Sequence, residues 1–331
     1  MGRRAAVVGH LGMAKFELYA TRHAGQRPTW AWLTLPLTWA FIFYGNGVAD
    51  RIATLFGQHA SAANPVWQHN VLAQFGSAVI LGFLWLWLRF FERRTLGDIG
   101  LSRPPLWGRF WRGFGLGFIF VAVTVAAGLV LGVLTIAGPG AWYDHLTPIW
   151  LTAAPLAVVG TMIQASTSEI LFRGWIMDAF ATRWSGFLAI TASVLMYTYM
   201  QGVDPSWSPE ATVCVVNIAL LTWFLSLCAM EDGVLWGVCG LHSAWTLSMG
   251  LGFGMNIDGR HLNITPVLLN LAPTEGAPNW LSGGDWGPDG SLFMTVIAGG
   301  AVLWQLLRGR RARRARQVAA AYEDYDYRYD D

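Results

Sequence analysis

The sequence predicts an all-α polytopic membrane protein with about eight transmembrane helices. Its 331 residues are 54% hydrophobic and only 13% charged, whereas soluble domains carry about 25% charged residues. The chain also holds 19 Trp and 18 Phe, an aromatic load typical of membrane interfaces. We therefore expect membrane lipids as partners and no nucleic acid.

Apolar runs define the predicted spans, because a helix needs about 20 mostly apolar residues to cross the bilayer. The fourth run is too long for one perpendicular span, which predicts a tilted or extended helix, and the fifth is short enough to be partly re-entrant. The eight runs are Thr29–Val48, Val71–Phe91, Phe110–Ile136, Ile149–Phe180, Gly186–Met200, Thr212–Met230, Val234–Phe253 and Leu292–Leu307.

The positive charges support this count and give an orientation. With an inside N-terminus, 19 Lys and Arg side chains fall in inside segments or at the inner ends of spans, against Arg51 and Arg260 outside; Arg173 lies deep within a span. Lys and Arg accumulate in cytoplasmic loops, so both termini are expected in the cytoplasm. An arginine-rich composition without an organelle signal favours a bacterial inner membrane.

The chain divides into a membrane domain and two tails. We predict a cytoplasmic N-terminal tail over residues 1–28, a membrane domain over 29–308 and a cytoplasmic tail over 309–331, first basic and then rich in Asp, Glu and Tyr. The longest external loop, about Gly254–Gly290, carries Asp258, Asp285 and Asp289. Its spacing fits no calcium-binding signature, and a solvated loop is expected.

Ionisable residues inside the fourth predicted span mark a candidate site. Glu169 and Arg173 are four residues apart, so both lie on one helix face and can pair. Charged groups at this depth cost roughly 2.5–3.5 kcal/mol each and usually mark a functional position. Gln201 ends the fifth span, and His242 lies in the seventh with Thr246 one turn further. His242 should point into the bundle towards a partner such as Glu169, although the same residues could simply lock helices together.

These residues resemble a known family. Ser168-Glu-Ile-Leu-Phe-Arg-Gly-Trp175 is similar to the first motif, EExxxR, of the CAAX-protease and bacteriocin-processing (CPBP or Abi) membrane proteins. Tyr197–Gln201 lies where the family has FxxxH, and His242–Thr246 where it has HxxxN or HxxxD. The resemblance covers about residues 90–250, and it implies a CAAX-protease-like helical bundle.

The resemblance implies an intramembrane endopeptidase. In active members the first Glu of the motif activates water with help from the second-motif His, while the later His and Asn support the oxyanion. Carboxylates and preorganised donors suit these roles. This chain retains Glu169, Arg173 and His242, but Ser168, Gln201 and Thr246 replace the expected Glu, His and Asn.

These replacements predict a catalytically degenerate member that acts as a membrane binding or assembly subunit. Its partner would be another membrane protein or a peptide. The alternatives are an active protease using Glu169 and His242, Ser168 as a nucleophile activated by His242, and a lipid or small-molecule carrier. Arg173 would make Glu169 a poorer base, and Glu169 points about 100° away from position 168. One His and one Glu fall short of the three ligands of catalytic zinc, so no cofactor is expected.

Overall fold

The computed structural model describes residues 18–19, 25–55, 67–101, 106–140 and 147–309. Helices dominate these ranges, which confirms the all-α membrane class. The predicted tails 1–28 and 309–331 lie almost entirely outside the described residues. The α-helices are α1 Ala31–Leu55, α2 Trp67–Leu86, α3 Trp107–Val130, α4 Pro148–Glu169, α5 Met177–Ala181, α6 Gly186–Met200, α7 Pro209–Asp232, α8 Trp236–Leu247, α9 Asn279–Ser282 and α10 over 292–309.

Helices occupy the positions of all eight predicted runs. Among the described residues, four segments are long and apolar enough to cross a membrane by length and composition, and Gly186–Met200 is a shorter apolar helix. The four are Gln74–Glu92, Trp107–Val130, Pro209–Asp232 and Gly284–Gly309. The crossing of the membrane by all eight helices stays a prediction.

The third predicted run differs from the structure at its end. It was expected to continue to Ile136, but α3 ends at Val130, and Leu134–Pro139 forms a β-strand, β1. Gly132 adopts a left-handed backbone with φ 68°, a conformation that ends helices because glycine has no Cβ to clash. Strand β1 pairs antiparallel with β2, Leu269–Pro273, so this sheet joins the end of α3 to the 254–290 loop.

Three short segments of the described residues are wound more widely than an α-helix. Trp87–Glu92 extends α2, Ile170–Ile176 joins α4 to α5, and Ser248–Gly252 extends α8, each as a π-helix. The long fourth run is therefore one continuous helical path with a wide turn in its middle. Such π segments are rare and frequently lie at functional sites, and this one begins directly after Glu169.

Glycines bring α3 and α8 into backbone contact. A Cβ atom on Gly113 or Gly117 would collide with backbone atoms of α8, and one on Gly240 would collide with the carbonyl of Phe110. Small residues allow this close approach between membrane helices, where van der Waals packing drives association. The contact fixes the position of α8, the helix that carries His242.

A buried ion network holds the later part of the fourth helical path against the preceding helices. Arg94 bridges Glu92 at 3.2 Å and Asp178 at 2.8 Å, and all three side chains are almost completely buried. The indole of Trp175 donates to the same Glu92 carboxylate at 2.7 Å, as does the backbone N–H of Thr29 at 3.2 Å. Because buried charges need such partners, the network locks Ile170–Ala181 against α1 and the end of α2.

Candidate functional site

Glu169 and Arg173 form the predicted pair at the start of the π segment. Arg173 Nη1 lies 3.1 Å from Glu169 Oε1, and both side chains are fully buried. Arg173 also stacks over the ring of Tyr197, 4.7 Å from its centroid. A guanidinium gains both from a carboxylate and from an aromatic face. Arg173 therefore joins the fourth helical path to α6 inside the bundle.

His242 reaches the same carboxylate from α8. Its Nδ1 lies 2.7 Å from Glu169 Oε1, as the sequence predicted from the need for a buried partner. A carboxylate beside Nδ1 favours the tautomer with the proton on that nitrogen, and in this tautomer of the neutral imidazole Nε2 is the acceptor. The hydroxyl of Tyr197 lies 3.5 Å from this Nε2. The imidazole is thus oriented by Glu169 and turned towards the residues of α6.

A cavity of 470 Å³ lies beside this pair. Ser168, Gln201, His242 and Thr246 all line it, so three of the four come from the positions where the chain departs from the family motifs. Glu169 and Arg173 are sealed behind His242 and are not part of the lining. The adjacent positions 168 and 169 therefore face different environments, as the helical rotation between neighbours predicts.

Ser168 makes only a local contact at the cavity wall. Its hydroxyl donates to the carbonyl of Gln164, one turn earlier in α4, at 3.1 Å. Serine back-bonding of this kind is common in helices. No base among the described residues is bonded to this hydroxyl, so the contacts of Ser168 do not favour the nucleophile alternative.

The 254–290 loop contributes carboxylates that sequence reasoning placed in solvent. Asp258 lines the cavity and accepts from Gln201 Nε2 at 2.9 Å. Asp289 is 2% exposed and also lines the cavity, so the expectation of a solvated loop is wrong for Asp289, while Asp258 is half-buried and Asp285 is exposed. Burial raises the pKa of the Asp258 carboxyl above its ordinary value. Only the turn that folds back over the bundle brings Asp258 to α6.

The first two helices also reach the cavity, although they precede the motif-bearing region. Asn46 and Asp50 line it from α1, and Gln74 and Ser77 line it from α2. The lining also has apolar members. They comprise Phe120, Ile218, Leu221, Phe224, Leu225 and Trp245. The cavity thus combines amides, hydroxyls and carboxylates with aliphatic and aromatic side chains.

The side chains around the cavity offer few ligands for a metal ion. Within the described ranges, His, Cys, Asp and Glu residues form no group of three that could hold a metal ion. The side chains that meet at Gln201 are an amide, a phenol and a carboxylate. This set is suited to hydrogen bonding.

Comparison with known proteins gives one match. Residues 148–248 match the model of a family described as type II CAAX prenyl endopeptidase Rce1-like. The matched segment runs from the start of α4 to the start of the last π segment and contains all six motif positions. It confirms the resemblance predicted from the motifs. Searches of curated proteins and of solved structures gave no match.

Proposed function

We propose, from the premise that residues 148–248 form a type II CAAX prenyl endopeptidase Rce1-like segment, that this membrane protein binds an extended peptide in its cavity. In this proposal the family's own water-activating arrangement is lost. The protein then acts as a membrane binding or assembly subunit whose partner is a peptide or a segment of another membrane protein. It needs no bound cofactor for this role.

One observation carries the proposal. Three cavity positions that the resemblance assigns to hydrolysis hold Ser168, Gln201 and Thr246, while Glu169 is sealed outside the lining. A serine hydroxyl bonded to its own helix and a glutamine amide cannot take a proton from water at neutral pH. These groups can hydrogen-bond a bound chain instead. At these three positions the cavity is therefore lined by polar side chains that are not bases.

The mixed lining of the cavity suits an extended chain. Amide side chains such as Asn46, Gln164 and Gln201 can pair with peptide N–H and C=O groups, which are costly to bury unpaired. Apolar lining residues such as Leu221 and Trp245 can pack against side chains of the bound segment. Ligand sites commonly combine an apolar surface with a few convergent polar groups in this way.

A photoreactive peptide tests the binding proposal. We expect a benzophenone-labelled random-sequence decapeptide mixture to crosslink to the detergent-purified protein, with adducts in α7 and α8. Ser77→Phe fills the cavity from α2 and should abolish crosslinking. Ala78→Phe, one residue further on the exposed face of α2, is the matched control and should crosslink normally. Equal crosslinking of both variants, or adducts spread over the outer surface, would contradict the proposal.

An assembly role has its own test. Purification in mild detergent should recover a membrane protein in stoichiometric amount with the wild-type chain and less of it with Ser77→Phe. Recovery of a lone monomer under conditions that preserve membrane complexes would count against this role. The peptide experiment would be unaffected, so binding and assembly can be separated.

The active-protease alternative based on Glu169 and His242 has weaker support. Glu169 is engaged by Arg173 at 3.1 Å and His242 at 2.7 Å and does not line the cavity. A general base must reach the proton it removes, directly or through one water. The sealed position of Glu169 favours a role in orienting His242.

We further propose that the protein lies in a bacterial inner membrane with both termini in the cytoplasm. The excess of Lys and Arg in the predicted inside segments supports this orientation. Single cysteines introduced at Asp285 in the loop and at Arg183 between α5 and α6 should be labelled from opposite sides by an impermeant maleimide. The Cys214, Cys228 and Cys239 background must first be replaced. Labelling of both from one side would contradict the topology.

A further inference from the structure

Asp258 presents a carboxylate to the cavity from the 254–290 loop. Its Oδ2 accepts from Gln201 Nε2 at 2.9 Å, and its Oδ1 lies 3.8 Å from the thiol of Cys214. Gln201 is the residue that stands in place of the second-motif His. A carboxylate therefore adjoins the one family position from which the imidazole is missing.

A tight turn holds Asp258 in this place. Ile257 and Arg260 exchange both backbone hydrogen bonds, at 3.0 and 2.8 Å. Asp258 itself has a left-handed backbone with φ 48°, and its N–H donates to Asp289 Oδ2 at 3.4 Å. Arg260 donates to the carbonyl of Gln201 at 3.2 Å. The turn thus binds Gln201 through both its side chain and its backbone. These contacts fix the position of the Asp258 carboxylate next to Gln201.

Neutral groups connect this carboxylate to His242. Gln201 Nε2 is 3.4 Å from the hydroxyl of Tyr197, which is 3.5 Å from His242 Nε2. Asp258 and His242 both line the cavity and are separated by an amide and a phenol. The two groups are not in direct contact, so the Asp258 carboxylate and the His242 imidazole line the same cavity at separate positions.

The surroundings of Asp258 make its carboxylate more basic than usual. Burial raises its pKa and outweighs the effects of Arg260, His242, Gln201 and Cys214, which each favour the ionised form. Asp289 lies next to it and accepts from the backbone N–H of Asp258. A base is most effective when its pKa approaches the working pH. Asp258 is shifted in that direction, unlike an exposed aspartate.

We propose that Asp258 is a general base that activates water in the cavity, so that the protein hydrolyses a peptide bond by a route different from the family's. The inference rests on the proposed binding of an extended peptide. It adds hydrolysis to peptide binding. The loop residue Asp258 would supply the carboxylate that is missing from the fourth helical path, where Ser168 replaces the expected Glu.

The step balances without any further reactant. The Asp258 carboxylate takes one proton from a water molecule as the water oxygen bonds to the peptide carbonyl carbon. The C–N bond then breaks, and the leaving nitrogen takes the proton back from the Asp258 carboxyl. The products are a carboxylic acid and an amine.

An internally quenched random-sequence decapeptide mixture tests the proposal with the full-length protein in detergent–phospholipid micelles. Wild-type protein should release fluorescence, and Asp258→Asn should lower the rate by about 10²–10⁴, the usual contribution of a general base. Asparagine is the appropriate replacement, because it tolerates left-handed backbone and can still accept from Gln201. Asp285→Asn is the control, since it removes the same charge from an exposed position of the same loop.

Gln201→Ala gives a second, independent readout. It removes a hydrogen bond that favours the ionised form of Asp258, so the acidic limb of the rate profile should move to higher pH. A purely structural role of Asp258 predicts no such movement. An unchanged limb in a folded Gln201→Ala protein would argue against Asp258 as the base.

The outcomes separate this inference from the binding proposal. Peptide binding without hydrolysis by the wild-type protein, or equal hydrolysis by Asp258→Asn, overturns the inference and leaves the binding function intact. Failure of the wild-type protein to bind the mixture, measured by fluorescence anisotropy, overturns both. Hydrolysis that is lost in Asp258→Asn while anisotropy is unchanged supports both.

Discussion

Glu169 Oε1 and His242 Nδ1 lie 2.7 Å apart, although 73 residues separate them in the chain. The contact joins α4 to α8 and places one imidazole nitrogen against a carboxylate and the other towards the cavity. Because Glu169 also binds Arg173, one carboxylate serves a guanidinium and an imidazole together. The three residues retained from the family motifs thus form one structural unit.

Removal of the Glu169 charge should destabilise the fold strongly. Glu169→Gln leaves the buried Arg173 guanidinium without its carboxylate, and breaking a buried ion pair in this way costs about 3–5 kcal/mol. We expect a corresponding loss in the free energy of unfolding in mixed micelles. Reversible denaturation in SDS, followed by tryptophan fluorescence, measures it.

The double variant is the control for that effect. Glu169→Gln with Arg173→Met removes both charges, so its loss should be smaller than the sum of the two single losses. Additive losses would show that the two side chains act independently, against the contact described above.

The close packing of α3 on α8 predicts a sharp difference between two nearby glycines. Gly113→Ala places a methyl group into the backbone of Gly237 and should cost about 1–3 kcal/mol, as overpacking usually does. Gly115→Ala, on the exposed face of the same helix with no atom within 4 Å, should be neutral or slightly stabilising. Thermal unfolding in detergent compares the two, and equal midpoints would contradict the packing.

The indole of Trp175 should contribute through its hydrogen bond to Glu92. Trp175→Phe removes a 2.7 Å bond to a buried carboxylate, which is worth about 1.5–3 kcal/mol. Trp85→Phe, at a residue that is 48% exposed, is the control and should change stability little. If both substitutions lower the unfolding midpoint equally, the Glu92 bond is not the cause.

Asp258 should make stability decline as the pH rises. Its pKa in the folded protein is raised above the ordinary 3.8, mainly by burial, so the folded state binds this proton more tightly than the unfolded state. The stabilisation is complete below 3.8 and is lost as the pH rises through the folded pKa. Unfolding midpoints between pH 4 and pH 8 should therefore fall less in Asp258→Asn than in the wild-type protein, and parallel curves would contradict this.

Asp204 should show the opposite dependence. The hydroxyl and backbone N–H of Ser206 donate to its carboxylate and lower its pKa, so its contribution is present above 3.8 and is lost on acidification. Asp204 is fully exposed, and the effect should be small. Ser206→Ala should therefore weaken the acid sensitivity of the α6–α7 loop, as NMR titration of the Asp204 carboxyl would report. An unchanged titration would show that Ser206 does not control this carboxyl.

Hydropathy predicted the helices well because a membrane span must satisfy its own backbone over many residues. It did not predict where α3 ends, since Leu134 and Ile136 are as apolar as the helix before them. Only the left-handed turn at Gly132 and the pairing of Leu134–Pro139 with Leu269–Pro273 distinguish strand from span. These features depend on a partner strand more than 130 residues away.

The sequence predicted those contacts of the candidate site that follow from residue spacing along a helix or from the need of a buried polar group for a partner. Glu169 and Arg173 share a face through their i,i+4 spacing, and His242 needed a partner inside the bundle. Asp258 was missed because its position depends on a loop that folds back over α6, and no local pattern reports such a contact. The carboxylates of that loop looked like ordinary surface charges.

The glycine contact between α3 and α8 also decides which part of the protein can move. Separation of two backbones that touch would break the contacts of their interface. The part of the cavity lining that α8 contributes, with His242 and Thr246, is therefore rigid. A bulky ligand would therefore enter by displacement of other lining elements, such as α1 and α2 or the Ile257–Arg260 turn. Distances between spin labels on those elements and spin labels on α3 or α8 should change when the cavity opens, whereas distances between α3 and α8 should stay constant.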